Sequence, residues 1–469
     1  MAEAEKSASA GKPVREKEAT TPVAVPIEQQ ITQLQQMRLG GFKLLETSID
    51  GSEIFSPERK ARKSIFMTDE SRKEDRKVLK DRLKLWKEVL SKEGVSVMDL
   101  AKEVDDKYKA TDKLYKDNLA TVVSEIRDLE STYKGVDLFF KNAETSGLKI
   151  RNIVFTNAGL DQLNPADPTN AETIEHIKNE IHKVYNRFDL RESYSLMVIP
   201  GYLGSKRAVD GWAKIAYDHK VMLVTDYQNL DSLKETLKEF QREKLAADEG
   251  RLSNVLMACN PIVGRGKYED LDETEDLYVN PSSAIAGKMY MNLISQVSAG
   301  YQYGSLEDVD GARFDLLKTE VGELENQGLI PLTKEFGKVI AFSGKTLYSG
   351  SNIGLKTYSV VRVFDWIMKV LMCFLNKRAM ENWSGKIERE ITEEIIQFLD
   401  QIKGPGKIIE RFEAPQFRQD PIQKDRIFVD INITPFFPAK TFVIGLHGER
   451  GRDENTGRRG DFKGDVAQR

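Results

Sequence analysis

Cysteine, histidine, basic excess and long apolar runs are all scarce in this sequence, and each shortage excludes a class of protein. Two cysteines, Cys259 and Cys373, stand far apart in 469 residues. Neither a Cys-x-x-Cys motif nor a disulfide framework is possible, which fits a reducing cytoplasm. Of the four histidines, His176 and His182 share one predicted helix, but their spacing turns them well over a right angle apart, and neither belongs to a His-Glu-x-x-His arrangement. His219 is placed at a helix end, where the helix dipole favours an imidazole, and His447 borders a charged tail; no metal is expected. The most apolar run, Val361 to Met380, is broken by Arg362, Asp365, Lys369, Lys377 and Arg378. The opening MAEAEKSASAGKPVREKEATTPVAVP has no apolar signal core, so neither membrane insertion nor export is expected. The 70 Lys and Arg against 74 Asp and Glu leave a formal net charge of -4, without the basic excess that nucleic-acid binding needs.

Catalytic motifs are missing as well. The stretch GKVIAFSGKTLYSG from Gly337 carries Gly344-Lys345-Thr346, but a phosphate loop needs a glycine separated by four residues from the Gly-Lys-Thr. Val339 occupies that position, Gly337 lies two residues too far back, and a β-branched residue favours continuing the strand. Gly264-Arg265-Gly266 opens like a dinucleotide fingerprint, yet Glu269 stands at the third glycine and starts the acidic run EDLDETED, which repels pyrophosphate. Ser205, Ser343 and Ser384 lie near glycines but in no Gly-x-Ser-x-Gly elbow. Glu58 to Lys63, ERKARK, and the pair Glu393-Glu394 read as solvated charge. No cofactor and no enzyme activity are expected.

What is present is a long α/β rhythm. Residues 1–25 read as a disordered tail. Ile27, Ile31, Leu34 and Met37 then recur at helical spacing in a segment too isolated to fold alone, which suits docking on something else. Lys73 to Glu130 is helical and charged, with Leu79, Leu83, Trp86 and Leu90 on one stripe. Strands are predicted at Ile150–Phe155, Tyr194–Ile199, Val221–Thr225 and Leu252–Ala258; helices at Ala171–Tyr185, Arg207–Tyr217 and Ser232–Lys244, the last capped by Asp231. A strand at Val339–Phe342, a buried helix at Val360–Ala379 and a helix at Lys386–Ile402 follow. In that last helix Ile387, Ile391, Ile395, Leu399 and Ile402 form one apolar stripe. Gly404-Pro405-Gly406 stops it. In RIFVDINIT from Arg426, the residues Ile427, Val429, Ile431 and Ile433 alternate with Phe428, Asp430, Asn432 and Thr434. The run Lys440–Leu446, with Phe442, Val443 and Ile444, follows as a hairpin partner or a second arm.

Several stretches in this order resemble the large sheath subunit of the bacterial type VI secretion system, the TssC family, in its Bacteroidetes-type branch. They are IRDLESTYKGVDLFFKNAETSGLKIRNIVFTN from Ile126, SLMVIPGY from Ser195, VMLVTDY from Val221 and YVNPSSAIAGKMY from Tyr278, followed by IAFSGKTLYSG, TYSVVRVFDWIMKVLM and IFVDINITPFFPAKTFVIGL. The last block is also similar to the carboxyl domains of phage tail sheaths. Lys345-Thr346-Leu347 falls where the family carries Arg-Thr-Leu, a structural strand end. Tyr133-Lys134-Gly135 departs from the family's Trp-Arg-Gly.

The resemblance implies an α/β fold of sheath-type domains, with helices flanking mixed sheets and extended amino- and carboxyl-terminal arms. The expected divisions are a tail over 1–25, an arm over 26–72, a charged helical region over 73–148, an α/β domain over 149–335, a carboxyl domain over 336–447 and a charged tail over 448–469. It implies a structural subunit that pairs with a small sheath subunit, stacks with further copies of itself in a helical lattice around an inner tube protein, and contracts to propel the tube. A baseplate and an AAA+ recycling ATPase are further implied partners. Arm strands at Ile427, Val429, Ile431, Ile433, Phe442, Val443 and Ile444 would join neighbouring subunits. The segment holding Ile27, Ile31, Leu34 and Met37 would be the unfoldase-recognition element, and the charged outer face of Lys386–Ile402 fits a tube contact as well as an ordinary solvated face. Two alternatives remain at this level: a nucleotide-binding α/β protein using Lys345 and Thr346, and a single-component phage-tail-like sheath.

Overall fold

The computed structural model describes residues 65–440, apart from 92–93, 95, 145–149 and 151–152. The chain divides into two compact units, Met1–Glu125 with Glu269–Glu273, and Ile126–Tyr268 with Thr274–Arg469.

In the first unit Asp69 caps a 3-10 turn by accepting from the Ser71 amide at 2.9 Å, and helix α1, Lys73–Leu90, follows. Of its predicted stripe, Leu79 and Trp86 are half-buried and Leu83 is exposed. Gly94, left-handed at φ 78, breaks the helical run. Ser96 restarts it, its Oγ accepting from the Asp99 amide at 3.2 Å, and helix α2 runs Val97–Ala143, its part from Ile126 onward belonging to the second unit.

The second unit is built on one five-stranded sheet of order β1-β2-β3-β7-β8: β1 Leu196–Ile199, β2 Met222–Asp226, β3 Val255–Cys259, β7 Leu329–Glu335 and β8 Lys338–Ala341. The first four strands are parallel and β8 returns antiparallel to β7. Alternate side chains enter two cores, as a sheet covered on both faces requires. Leu223, Val255, Met257 and Cys259 face one core with Trp212 of helix α4 (Lys206–Asp218) and Phe240 of helix α5 (Leu233–Glu243). Met222, Val224, Leu256 and Ala258 face the other, with Leu138 of α2 and Ile285 and Met289 of helix α6 (Ser282–Met291). Gly287 lets α6 touch α2: a Cβ there would sit 2.4 Å from the Phe139 carbonyl oxygen. Helix α3, Ala171–Tyr185, matches its prediction to the residue. A three-stranded sheet, β4 Ile262–Arg265 between β5 Leu277–Val279 and β6 Gly311–Ala312, and helix α7, Lys318–Asn326, complete the body.

Two local expectations change. Ile153–Phe155 form no strand, and Val154 and Phe155 are exposed; a short apolar run reads the same whether or not a sheet edge is there to receive it. Helix α5 is capped by Ser232, whose Oγ accepts from the Glu235 amide. Asp231 instead receives the Arg313 guanidinium at 2.9 Å.

Candidate assembly interface

The carboxyl part carries a hairpin on two helices. Helix α8, Tyr358–Lys377, contributes Val363 and Ile367 to a third core. Helix α9, Gly385–Ile402, contributes Ile391, Ile395 and Leu399 from its predicted stripe. Ser384 caps α9 by accepting from the Ile387 amide. Trp366 and Phe398 close the helix pair with ring centroids 5.8 Å apart.

After the Gly404–Gly406 break come β9 Ile409–Phe412, β10 Gln416–Gln419, β11 Ile427–Asp430 and β12 Ile433–Pro435. The pairing runs backward along the chain. Ile433 lies opposite Phe412, Asp430 opposite Gln416 and Ile427 opposite Gln419, so the two strand pairs are halves of one kinked antiparallel ribbon. Its turn is held by Asp420, whose carboxylate accepts from the Ile422 and Gln423 amides at 2.9 and 3.2 Å. The sequence reading placed the partner of Ile427–Thr434 downstream, as a hairpin with Lys440–Leu446 or as paired arms. Among the described residues β11 and β12 pair with the upstream run Ile409–Gln419, which its charges and Pro415 made hard to recognise. Residues 441–446, and with them Phe442, Val443 and Ile444, lie outside the described residues, as do Ile27, Ile31, Leu34 and Met37.

Ile427, Val429, Ile431 and Ile433 are half-buried on one face, and Ile431 and Ile433 pack on the third core. Phe428, Asp430 and Asn432 face outward, with Arg418 stacked over Phe428 at 5.0 Å. Phe417, opposite Val429, packs on Trp383 with centroids 5.6 Å apart. The backbone has its own polarity. Asp420 N donates to Arg426 O and Glu413 N to Asn432 O, both at 2.9 Å, and bonded pairs alternate with unbonded ones in an antiparallel ladder. The intervening residues Ile427, Val429 and Ile433 therefore turn their N–H and C=O groups away from their own partner strand. Among the described residues no third strand joins either pair.

Buried polar groups tie α8 to the five-stranded sheet and hold the end of β2. Lys369 Nζ donates to the Tyr194 and Lys220 carbonyls, each at 2.9 Å, and burial pushes its pKa down to about 8. Asp365, raised by burial, accepts from Asn254 Nδ2 at 2.7 Å. Asp226 accepts from the Gly201 and Ser282 amides at 2.8 and 2.9 Å, while burial lifts it to about 6.

In the Gly-Lys-Thr stretch three successive amides, from Lys345 to Leu347, are already committed within the protein. Lys345 N donates to Ser343 Oγ, Thr346 N to the Lys356 carbonyl and Leu347 N to the Val255 carbonyl; Thr346 Oγ1 donates to Leu355 O at 2.7 Å. Gly264 admits close packing of β4, since a Cβ there would lie 2.6 Å from Val279. Ser205 and Ser384 cap helices and Ser343 stabilises a turn. One association escaped the sequence reading because its members lie on different helices: His182 Nδ1 is 3.1 Å from His219 Nε2. His219 Nδ1 donates to the Ile215 carbonyl at 2.7 Å, which leaves Nε2 as the acceptor and His182 as the donor. Among the described residues no group of three or more His, Cys, Asp or Glu is placed to hold a metal, and no helix is long and apolar enough to cross a membrane.

Three family models match the chain: the central domain of type VI secretion system TssC/VipB over residues 121–349, the TssC/VipB-like carboxyl-terminal domain over 357–463, and the TssC/VipB-like amino-terminal region over 27–119. No curated protein matches. Among solved structures, the contracted helical sheath of the anti-feeding prophage is 13% identical, over 69% of this chain and 82% of its own, at TM-score 0.47. The six-fold symmetrised baseplate of the same prophage is 13% identical, over 53% and 67%, at 0.41. The contracted PVC sheath complex of an extracellular contractile injection system is 12% identical, over 53% and 69%, at 0.39.

Proposed function

We propose, from the premise that this chain belongs to the TssC/VipB family of type VI secretion systems, that its hairpin Ile409–Pro435 is the element that links one sheath subunit to the next. The chain is a structural subunit of a contractile sheath and polymerises with a partner sheath subunit. The observation that carries the linking role is that, among the described residues, no strand pairs with the ribbon's outward edge. A two-stranded ribbon is marginal alone, and one anchored on α8 and α9 is a template for a strand from a neighbour. Each rung so formed adds about 1 kcal/mol net. An arm of ten extended residues bridges about 33 Å, so subunits stay connected as they rotate and part.

The inner tube, baseplate and AAA+ recycler belong to the same reading, as do a cytoplasmic location, a non-catalytic role and the Bacteroidetes-type branch, which rest on sequence resemblance. No nucleotide site is needed if the extended lattice is the less stable of two packings of one sequence. Deleting Ile27–Met37 is expected to abolish recycling while sparing assembly; lost assembly would reject that assignment.

The test of the whole reading is negative-stain microscopy of the chain alone and with the small sheath subunit. Hollow ridged tubes on co-expression only are expected. Tubes from the chain alone would point to a single-component sheath, and dispersed particles in both samples would overturn the reading.

A further inference from the structure

Helix α8 buries a cation for which the described residues supply too few acceptors. Arg362 is 7% exposed, and its Nη2 donates at 3.2 Å to the Met289 carbonyl in the last turn of α6, where a helix leaves its carbonyls open. Nε and Nη1 of the same guanidinium are buried with no partner among the described residues. So is Oγ of Ser359, one turn back on α8 and 1% exposed. Other buried cations nearby are compensated. Lys369 lies beside Asp365 and donates to two carbonyls, and Lys288 has Glu307 at 3.9 Å.

Among the described residues no carboxylate plays that part for Arg362. Asp365, three residues on, accepts from Asn254. Burial pushes the Arg362 pKa down to about 10, and the group that counters it is the Tyr358 hydroxyl, whose oxygen already accepts from the Ser298 amide at 2.6 Å. The guanidinium stays charged at neutral pH and has only donors to offer. Nη2 gives one hydrogen to Met289, and neither Nε nor Nη1 shares that acceptor, so one two-donor edge of the planar group is left whole. Such an edge fits an anion. Water would fill the donors and leave the buried charge unbalanced, whereas one small anion answers both needs. The low exposure of Arg362 and Ser359 limits it to about the size of chloride.

We infer that Arg362 and Ser359 form a closed anion site, which takes one chloride-sized ion between α8 and the end of α6. The ion completes the seam between these two helices. This inference stands on the residues of the site and is independent of the sheath reading above.

The full chain, carried from sodium gluconate into sodium chloride at constant ionic strength, tests it, because gluconate is too large to enter. Between about 1 and 100 mM chloride the thermal midpoint is expected to rise by about 2 °C or more, and the chloride NMR line should broaden in proportion to the protein. Arg362→Gln should lose both responses. Ser359→Ala, which removes an unpartnered hydroxyl, should melt like the parent in gluconate and respond to chloride more weakly. If Arg362→Gln does not fold, the serine variant and bromide competition on the parent carry the test, with bromide expected to narrow the broadened chloride line. A parent that ignores chloride in both measurements would show that the site holds water alone and would overturn the inference. Equal midpoint shifts in the parent and Arg362→Gln, or line broadening that survives the substitution, would mark a general salt effect or an ion elsewhere and overturn it too.

Discussion

Asp226 and Lys369 show how single buried charges set conditions for this fold. Asp226 is surrounded by donors, so Asp226→Asn turns one acceptor into a donor facing the Gly201 or Ser282 amides, with an expected loss of about 1–3 kcal/mol by urea denaturation. Lys369 gives a pH signature. Its folded pKa, about 8, lies below the ordinary 10.5, so between those values the unfolded chain holds a proton that the folded chain has released. Stability from this group therefore rises as pH rises from about 8 to 10.5. Lys369→Met should remove that slope and, by leaving the Tyr194 and Lys220 carbonyls without a donor, lower stability at pH 7 by about 1–3 kcal/mol. A parent protein with no such slope would mean that the ammonium is better solvated than its burial implies.

Among the elements, the hairpin gives the sharpest contrast. Val429 and Ile433 turn their backbone outward, while Phe428 and Asp430 bond to β10. Val429→Pro removes an outward donor and spares the ladder within the chain. It should leave a subunit that melts like the parent and forms soluble complexes with its partner but no tubes. Phe428→Pro removes an inner rung and should lower the melting temperature as well. Tubes from Val429→Pro would show that this edge is not the connector. Support below the hairpin is testable too: Ile395, 1% exposed between the helices, should cost about 2–5 kcal/mol when cut to alanine. The stripe on α9 was legible in the sequence because a helix repeats its face every three to four residues. Strands β9 and β10 were not, because Ile409 to Gln419 is mostly polar and its ladder partner lies up to 26 residues away, at Pro435 opposite Ile409.

For the whole molecule, the occupied amides around Lys345 predict that millimolar Mg-ATP leaves the thermal midpoint unchanged. A ligand at a hundredfold excess over its Kd would add about 2.7 kcal/mol, so a shift would reopen the nucleotide reading. The two cores sandwiching one sheet also explain why most helices were readable in advance: each had to present an apolar stripe to a layer above or below. His182 and His219 defeat such reading, since their 3.1 Å approach depends on how α3 packs beside the end of α4.

The α/β rhythm, the alternation of Ile427 to Ile433, the missing loop glycine at Val339 and the family resemblance were all carried by the sequence itself, because they are local patterns of period two or 3.6 or words of neighbouring residues. The tertiary structure alone decided that Ile427–Asp430 pairs with Gln416–Gln419, which of its backbone groups turn away from that strand, and which charges are buried. Those outcomes depend on contacts between residues distant in the chain, where many pairings satisfy the same local pattern and only the packed whole selects one.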